Sequence, residues 1–230
     1  MGSCQNTGKA STPAAKATSK AWTAAFPVRR WLGVLGAVCL AAAAHAAEAR
    51  SIVFFGDSLT AGYGIEPESA FPALIQRKID AAGLPWRVVN AGLSGETTSG
   101  GLRRLDWILR QKVDIFVLEL GGNDGLRGIP TETTRVNLLV MIERVREKYP
   151  RARVVLAGMQ IPTNMGPEYG EAFAAIYPAV ARETGAVLIP FLLEGVGGIP
   201  RLNLPDGIHP TEQGHRIVAA TVWKSLSALL

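Results

Sequence analysis

The 230-residue chain contains three histidines, and an imidazole is the commonest general base for hydrolysis near neutral pH. His45 sits in an alanine-rich N-terminal segment, and His215 falls within a stretch of helical spacing. His209 lies in Leu204-Pro205-Asp206-Gly207-Ile208-His209-Pro210, a loop pinned by two prolines. Asp206 stands three residues ahead, close enough for its carboxylate to accept a bond from the imidazole within one turn. Such a pair supplies a base and the group that orients it. The plain structural alternative is a helix-capping loop with a surface histidine.

A base needs a nucleophile. Ser58 follows a buried strand within Gly-Asp-Ser-Leu (56–59), where Gly56 permits a sharp turn and the hydroxyl can project from the start of a helix. Free N–H groups at a helix start favour developing negative charge. The Gly-x-Ser-x-Gly elbow of α/β-hydrolases is absent, and Gly92-Leu93-Ser94-Gly95 has the wrong spacing for it. Ser94 therefore reads as a structural serine, next in line if Ser58 fails. Acyl transfer also requires donors for an oxyanion. The backbone N–H groups of Ser58 and Gly92 and the carboxamide of Asn123 are the candidates. Taken alone, Gly121-Gly122-Asn123-Asp124 is only a turn.

The elements that must hold these residues alternate. Short apolar runs at 51–55, 87–90, 114–120, 153–157 and 186–190 read as strands. Helical spacing covers Phe71 to Ala82, a segment from about Thr97, Val136 to Tyr149, Glu171 to Glu183, and Thr211 to Leu229. On the helix from Val136, the expected buried side is Leu139, Val140, Ile142 and Val145. Alternation with apolar strands implies a five-stranded parallel sheet covered on both faces, a three-layer α/β/α sandwich. In open parallel sheets ligands sit beyond the carboxyl ends of the strands, where the glycine-rich clusters fall.

Charge is segregated. Five of the 24 basic residues and none of the 19 acidic ones lie in residues 1–46, so the remainder is formally neutral. That removes the electrostatic support for nucleic-acid binding. The N-terminal segment joins a basic flank ending at Arg29-Arg30, an apolar run from Trp31 to Leu40, and Ala44-His45-Ala46. This is the pattern of a secretory signal peptide, too short in its apolar part for a stable membrane anchor. Residues 1–46 are expected to be a leader and 47–230 a single domain. Val-Arg-Arg-Trp-Leu-Gly matches a twin-arginine signal poorly, so general secretion is expected. Both cysteines, Cys4 and Cys39, belong to the leader; the mature chain has no disulfide, cysteine nucleophile or thiolate metal site.

Gly-Asp-Ser-Leu (56–59), Gly92, Gly-x-Asn-Asp (121–124) and Asp-x-x-His (206–209) occur in the order of the SGNH, or GDSL, hydrolases, and the chain resembles that family over residues 50–229. Longer stretches, such as Phe-Gly-Asp-Ser-Leu-Thr-Ala-Gly-Tyr-Gly and Leu-Gly-Gly-Asn-Asp-Gly-Leu-Arg-Gly, are similar to its periplasmic acyl-CoA thioesterase I, lysophospholipase and arylesterase group. The resemblance implies a flavodoxin-like sheet, a Ser58–His209–Asp206 triad, and an oxyanion hole from Ser58, Gly92 and Asn123. It implies hydrolysis of small-molecule acyl thioesters and carboxylic esters (acyl-CoA, lysophospholipid, aryl ester) by a monomer without a cofactor. Met159-Gln160-Ile161-Pro162-Thr163-Asn164 departs from some relatives and is expected to border the acyl pocket.

Rival chemistries find less support. Two mature-chain histidines, no cysteines and no His-Glu-x-x-His leave too few ligands for a metal hydrolase. Gly62-Tyr63-Gly64 is followed by Pro67 where a nucleotide fingerprint needs glycine. A non-catalytic binder would be expected to lack one of Ser58, Asn123, Asp206 or His209. A carbohydrate O-deacetylase with the same triad is the alternative enzyme, weakened by an aromatic content of 7%. N-terminal sequencing of exported protein should find a start near Ala47; an intact leader on a cytosolic enzyme would refute export.

Overall fold

A computed structural model describes residues 50–230, so the leader expected over 1–46 lies outside the described residues. The first strand, β1 (Arg50–Gly56), is apolar on both faces, with Ile52 to Phe55 fully buried, as a central parallel strand must be. Asp57 follows it, and its Oδ1 accepts the Leu59 N–H at 2.9 Å and caps the short helix α1 (Ser58–Ala61). Helix α2 (Phe71–Ala81) leads to the edge strand β2 (Trp86–Gly92). Helix α3 (Thr98–Ile108) starts where the Thr97 hydroxyl accepts the Gly100 N–H. Then come β3 (Ile115–Glu119), the short α4 (Gly122–Leu126), α5 (Thr131–Lys148), β4 (Arg153–Ala157), α6 (Pro167–Thr184), β5 (Val187–Ile189) and α7 (Glu212–Leu226).

All five strands are parallel, in the order β2-β1-β3-β4-β5. This is the flavodoxin-like order expected above. Helix α2 packs with α7, while α3, α5 and α6 pack together, so the helices form two layers about the sheet. Right-handed crossovers require that division: the chain steps from β1 to β2 in one direction and from β2 through β5 in the other. Among the described residues no helix is long and apolar enough to cross a membrane.

Several boundaries differ from the sequence reading. Helix α5 begins at Thr131 rather than Val136, because its first turn is polar and turns only Thr134 inward. Its buried face is Leu138, Met141, Ile142 and Val145, while Leu139 and Val140 are half-buried and Val136 is exposed. Helix α6 starts four residues before Glu171, at Pro167, whose fixed φ suits a first helical position. Helix α7 stops at Leu226, and a 3₁₀ turn carries the chain to Leu229. Helices α1 and α4 are too short to show any period.

His215 is a buried tie between layers. Its Nδ1 accepts the Phe71 N–H at 3.2 Å, supplying the acceptor that Ala70 lacks at the start of α2, and its ring stacks on Phe71. Burial, and secondarily the charge of His209, push its imidazole down from 6.5 to about 4. The unfolded chain therefore binds that proton first. The stability of the neutral form is complete above pH 6.5 and lost as pH falls toward 4, about 3 kcal/mol in all. Urea denaturation across that interval should show wild type losing more stability than His215→Asn, whose Oδ1 can accept the Phe71 N–H without titrating. Equal losses would refute the assignment.

Candidate active site

Beyond the carboxyl ends of β1 and β3, three distant segments meet. Ser58 Oγ lies 2.8 Å from His209 Nε2, and His209 Nδ1 lies 2.7 Å from Asp206 Oδ2. A carboxylate only accepts, so Nδ1–H donates to Asp206 and the bare Nε2 faces the serine hydroxyl. Asp206 Oδ1 accepts the backbone N–H groups of Ile208 and His209 at 2.9 and 3.0 Å. Burial opposes the charge on Asp206, but these N–H groups and the imidazole outweigh it and lower the carboxyl from 3.8 to about 2. The loop itself is closed by Leu204 N–H to His209 O at 2.7 Å and anchored by Asn203, whose amide donates to Val196 O and Ile199 O. The Tyr63 ring packs 4.5 Å from the imidazole, centroid to centroid.

The proposed oxyanion donors also converge, with partners the sequence did not disclose. Ser58 N–H is the first of α1, with no preceding turn to accept it. Gly92 N–H donates to Asn90 Oδ1 at 2.9 Å. A Cβ at Gly92 would stand 2.3 Å from Ala61 N, so only glycine lets β2 pass this close beneath the serine turn. Asn123 Nδ2 donates to Asp57 Oδ2 at 3.0 Å and to Glu96 O at 3.1 Å. Ser94 is exposed in the loop after β2, and His209 contacts Ser58 instead.

Four acids and one arginine around these donors have no role in the sequence analysis, where Asp57 and Asp124 appear only within their motifs. Asp57, 2% exposed, is pushed up by burial to about 6 against the pull of its hydrogen bonds and the charge of His209. Glu119 is wholly buried; burial and then the nearby Asp57 charge hold its carboxyl well above the usual range. Asp124 binds the N–H and hydroxyl of Thr98. Glu96 pairs with Arg104, whose guanidinium also donates to Ala91 O and Gly56 O and lies over the Phe55 ring. Arg104 thereby braces the ends of β1 and β2 and fixes the Glu96 carbonyl that Asn123 meets. The one available signal was Glu119, an acid ending an otherwise apolar strand.

A cavity of about 610 Å³ opens beside Ser58, His209 and Asn123. Its wall is largely apolar: Leu126, Met159, Ile161, Pro162, Phe191 and Ile208 contribute. Of the segment expected to border an acyl pocket, Met159 to Asn164, the residues from Met159 to Thr163 line it. The volume falls within the range typical of small-molecule sites.

Known proteins resemble this chain in sequence and fold. Residues 54–217 match the GDSL-like lipase/acylhydrolase family model. The chain is 40% identical over 202 residues to esterase TesA of Pseudomonas aeruginosa, covering 87% of this chain and 100% of that protein. It is 40% identical over 187 residues to thioesterase 1/protease 1/lysophospholipase L1 of Escherichia coli strain K12, covering 81% and 88% respectively. The crystal structure of TesA matches with a TM-score of 0.76 at 41% identity, over 79% of this chain and 100% of that one. The likeness extends from the sheet through the serine turn to the histidine loop, and the chain accordingly belongs to the GDSL-like lipase/acylhydrolase family as a serine ester hydrolase.

Proposed function

We propose that Ser58 is the nucleophile, His209 the general base and Asp206 its orienting carboxylate, acting on acyl thioesters and carboxylic esters of small molecules. The observation that carries this reading is the unbroken hydrogen-bond chain Asp206–His209–Ser58 ending at an apolar-walled cavity. As Ser58 Oγ attacks the acyl carbon, its proton passes to His209 Nε2. Asp206 holds the resulting imidazolium in place. The carbonyl oxygen, now negative, takes hydrogen bonds from Ser58 N–H, Gly92 N–H and Asn123 Nδ2–H. Each N–H of Gly92 and Asn123 that already has an acceptor can share its proton in a three-centre bond. His209 then protonates the departing thiolate or alkoxide. Water repeats the attack on the acyl-serine with His209 as base, releasing the acid and restoring the Ser58 hydroxyl.

The apolar wall suits a hydrocarbon acyl chain better than a sugar acetate, which favours acyl-CoA, lysophospholipid or aryl ester over an O-acetylated carbohydrate. The names of the Escherichia coli relative, thioesterase and lysophospholipase, point the same way. The leader read in residues 1–46 supports action in the periplasm or outside the cell. Every proposed group comes from one chain, so a monomer suffices.

Ser58→Ala should abolish hydrolysis of p-nitrophenyl esters and labelling by a fluorophosphonate, with stability changed by less than about 1 kcal/mol. Asn123→Ala should lower kcat by about 10²–10³ with KM nearly constant, since the donor acts mainly in the transition state. Asn123→Asp should be worse, because its charge repels the oxyanion. Normal kcat in Asn123→Ala, with only a lowered melting temperature, would refute the oxyanion role; hydrolysis surviving in Ser58→Ala would move the nucleophile elsewhere.

A further inference from the structure

Strand β3 ends out of character. Ile115 to Leu118 are apolar and buried, and Glu119, the next residue, is a carboxylic acid with no exposure. In the β1–β3 register it stands opposite Gly56. A Cβ on Gly56 would lie 2.4 Å from Glu119 Oε2 and 2.2 Å from Thr60 Oγ1, so the missing side chain makes the room the acid occupies. Oε2 accepts the Thr60 hydroxyl at 2.7 Å and the Asp57 N–H at 3.2 Å. Oε1 meets no N–H or O–H donor among the described residues.

Asp57 is the neighbour. Its Oδ1 accepts Leu59 N–H and its Oδ2 accepts Asn123 Nδ2–H, while the Glu119 carboxyl lies within hydrogen-bonding reach. Among the described residues neither acid is ion-paired with a lysine or arginine; Arg104 is committed to Glu96 and to backbone carbonyls. The other titratable groups facing the pair are His209, beside Asp57, and the Tyr177 phenol, which donates to Leu120 O. Two contacting buried carboxyls cannot both carry charge without a cation, and a hydrogen bond between them requires a proton on one. The donor pattern selects which. Asp57 has an N–H on each oxygen, whereas Glu119 has donors on one oxygen only.

We propose that Glu119 is the proton-bearing member of a buried carboxyl pair, and that by donating to Asp57 it keeps Asp57 an anion that fixes the orientation of the Asn123 carboxamide. Glu119 is then a positioning residue that never touches substrate. Only acceptors, Asp57 Oδ2 and Glu96 O, face the Asn123 nitrogen, so flipping the amide would set its oxygen against both. Protonating Asp57 would turn one of those acceptors into a donor and remove the preference. The directions of the shifts agree with that donor pattern: burial raises both acids, Asp57 to about 6 and Glu119 well above the usual carboxylate range.

The kinetic consequence rests on Asn123 being an oxyanion donor; the protonation state does not, and the two are read separately. Infrared spectra at mildly alkaline pH should show the C=O band of a protonated carboxyl in wild type that is lost in Glu119→Gln. Absence of the band from wild type, or its survival in Glu119→Gln, overturns the proposal. Glu119→Ala should lower kcat by about tenfold or more with KM within about twofold, and Glu119→Gln, whose N–H replaces the O–H, should recover most of that loss. A melting temperature lowered in Glu119→Ala without change in kcat overturns the positioning role. Normal kcat in Asn123→Ala with the band intact would instead fault the oxyanion assignment and leave the protonated Glu119 standing.

Discussion

Where β1 and β3 run side by side, Gly56 faces Glu119, and just beyond that pair the two strands open into the turns that carry Ser58 and Asn123. The order β2-β1-β3 places the reversal of chain direction there, and the diverging turns leave a crevice at the carboxyl edge of the sheet. The register sets more than proximity. It puts one buried acid directly beneath the serine turn, and through Asp57 that acid reaches the Asn123 carboxamide. A one-residue slip would turn Glu119 to the opposite face and point an apolar neighbour at Thr60, breaking both ties at once.

The acids of the site are driven apart by environment. Asp206 stands on an exposed loop with two backbone donors and an imidazole, and its carboxyl is held low. Asp57 is sealed under α1 with neutral donors only, and its carboxyl is held high. The first environment suits a permanent anion that steadies a transient imidazolium; the second leaves room for one charge only between Asp57 and Glu119. Glu96 is the one buried acid in this group with a guanidinium partner, and there Arg104 links the pair to the backbone ends of two strands. Polar burial near the site is therefore extensive, and nearly every polar atom in it has a partner, as a low-dielectric interior demands.

His209 reaches Ser58 from the far end of the chain, and no disulfide holds it there, because residues 50–230 contain no cysteine. The constraint is instead a short loop closed on itself by Leu204 and His209, tied down by Asn203 and continued into α7 by Thr211, whose hydroxyl accepts the Gly214 N–H. From within α7, His215 then fastens the start of α2. One segment thus aligns the base and locks two helices of the same layer. The cavity beside it is walled by apolar side chains from several other loops, so its shape can vary with little disturbance to the hydrogen-bond chain.

Local chemistry wrote much of this protein into its sequence. The strands were legible because parallel strands buried on both faces must be continuously apolar, and the triad candidates because only two histidines outlast the expected leader and one has an aspartate three residues ahead. Ser58, Gly92 and Asn123 stood out because turns at strand ends need glycine and small polar residues. The partners of those groups were not legible. Asp57, Glu96 and Glu119 are separated by tens of residues, Arg104 follows Glu96 by eight, and none of them marks a period, so only packing shows that their charges share one buried space. The first turn of α5 and the short helix α4 were invisible for a related reason: they bury too few apolar residues to leave a pattern. Side-chain spacing records what each element must hide from water; which acid keeps a proton, and which amide it orients, depends on neighbours that only the folded chain supplies.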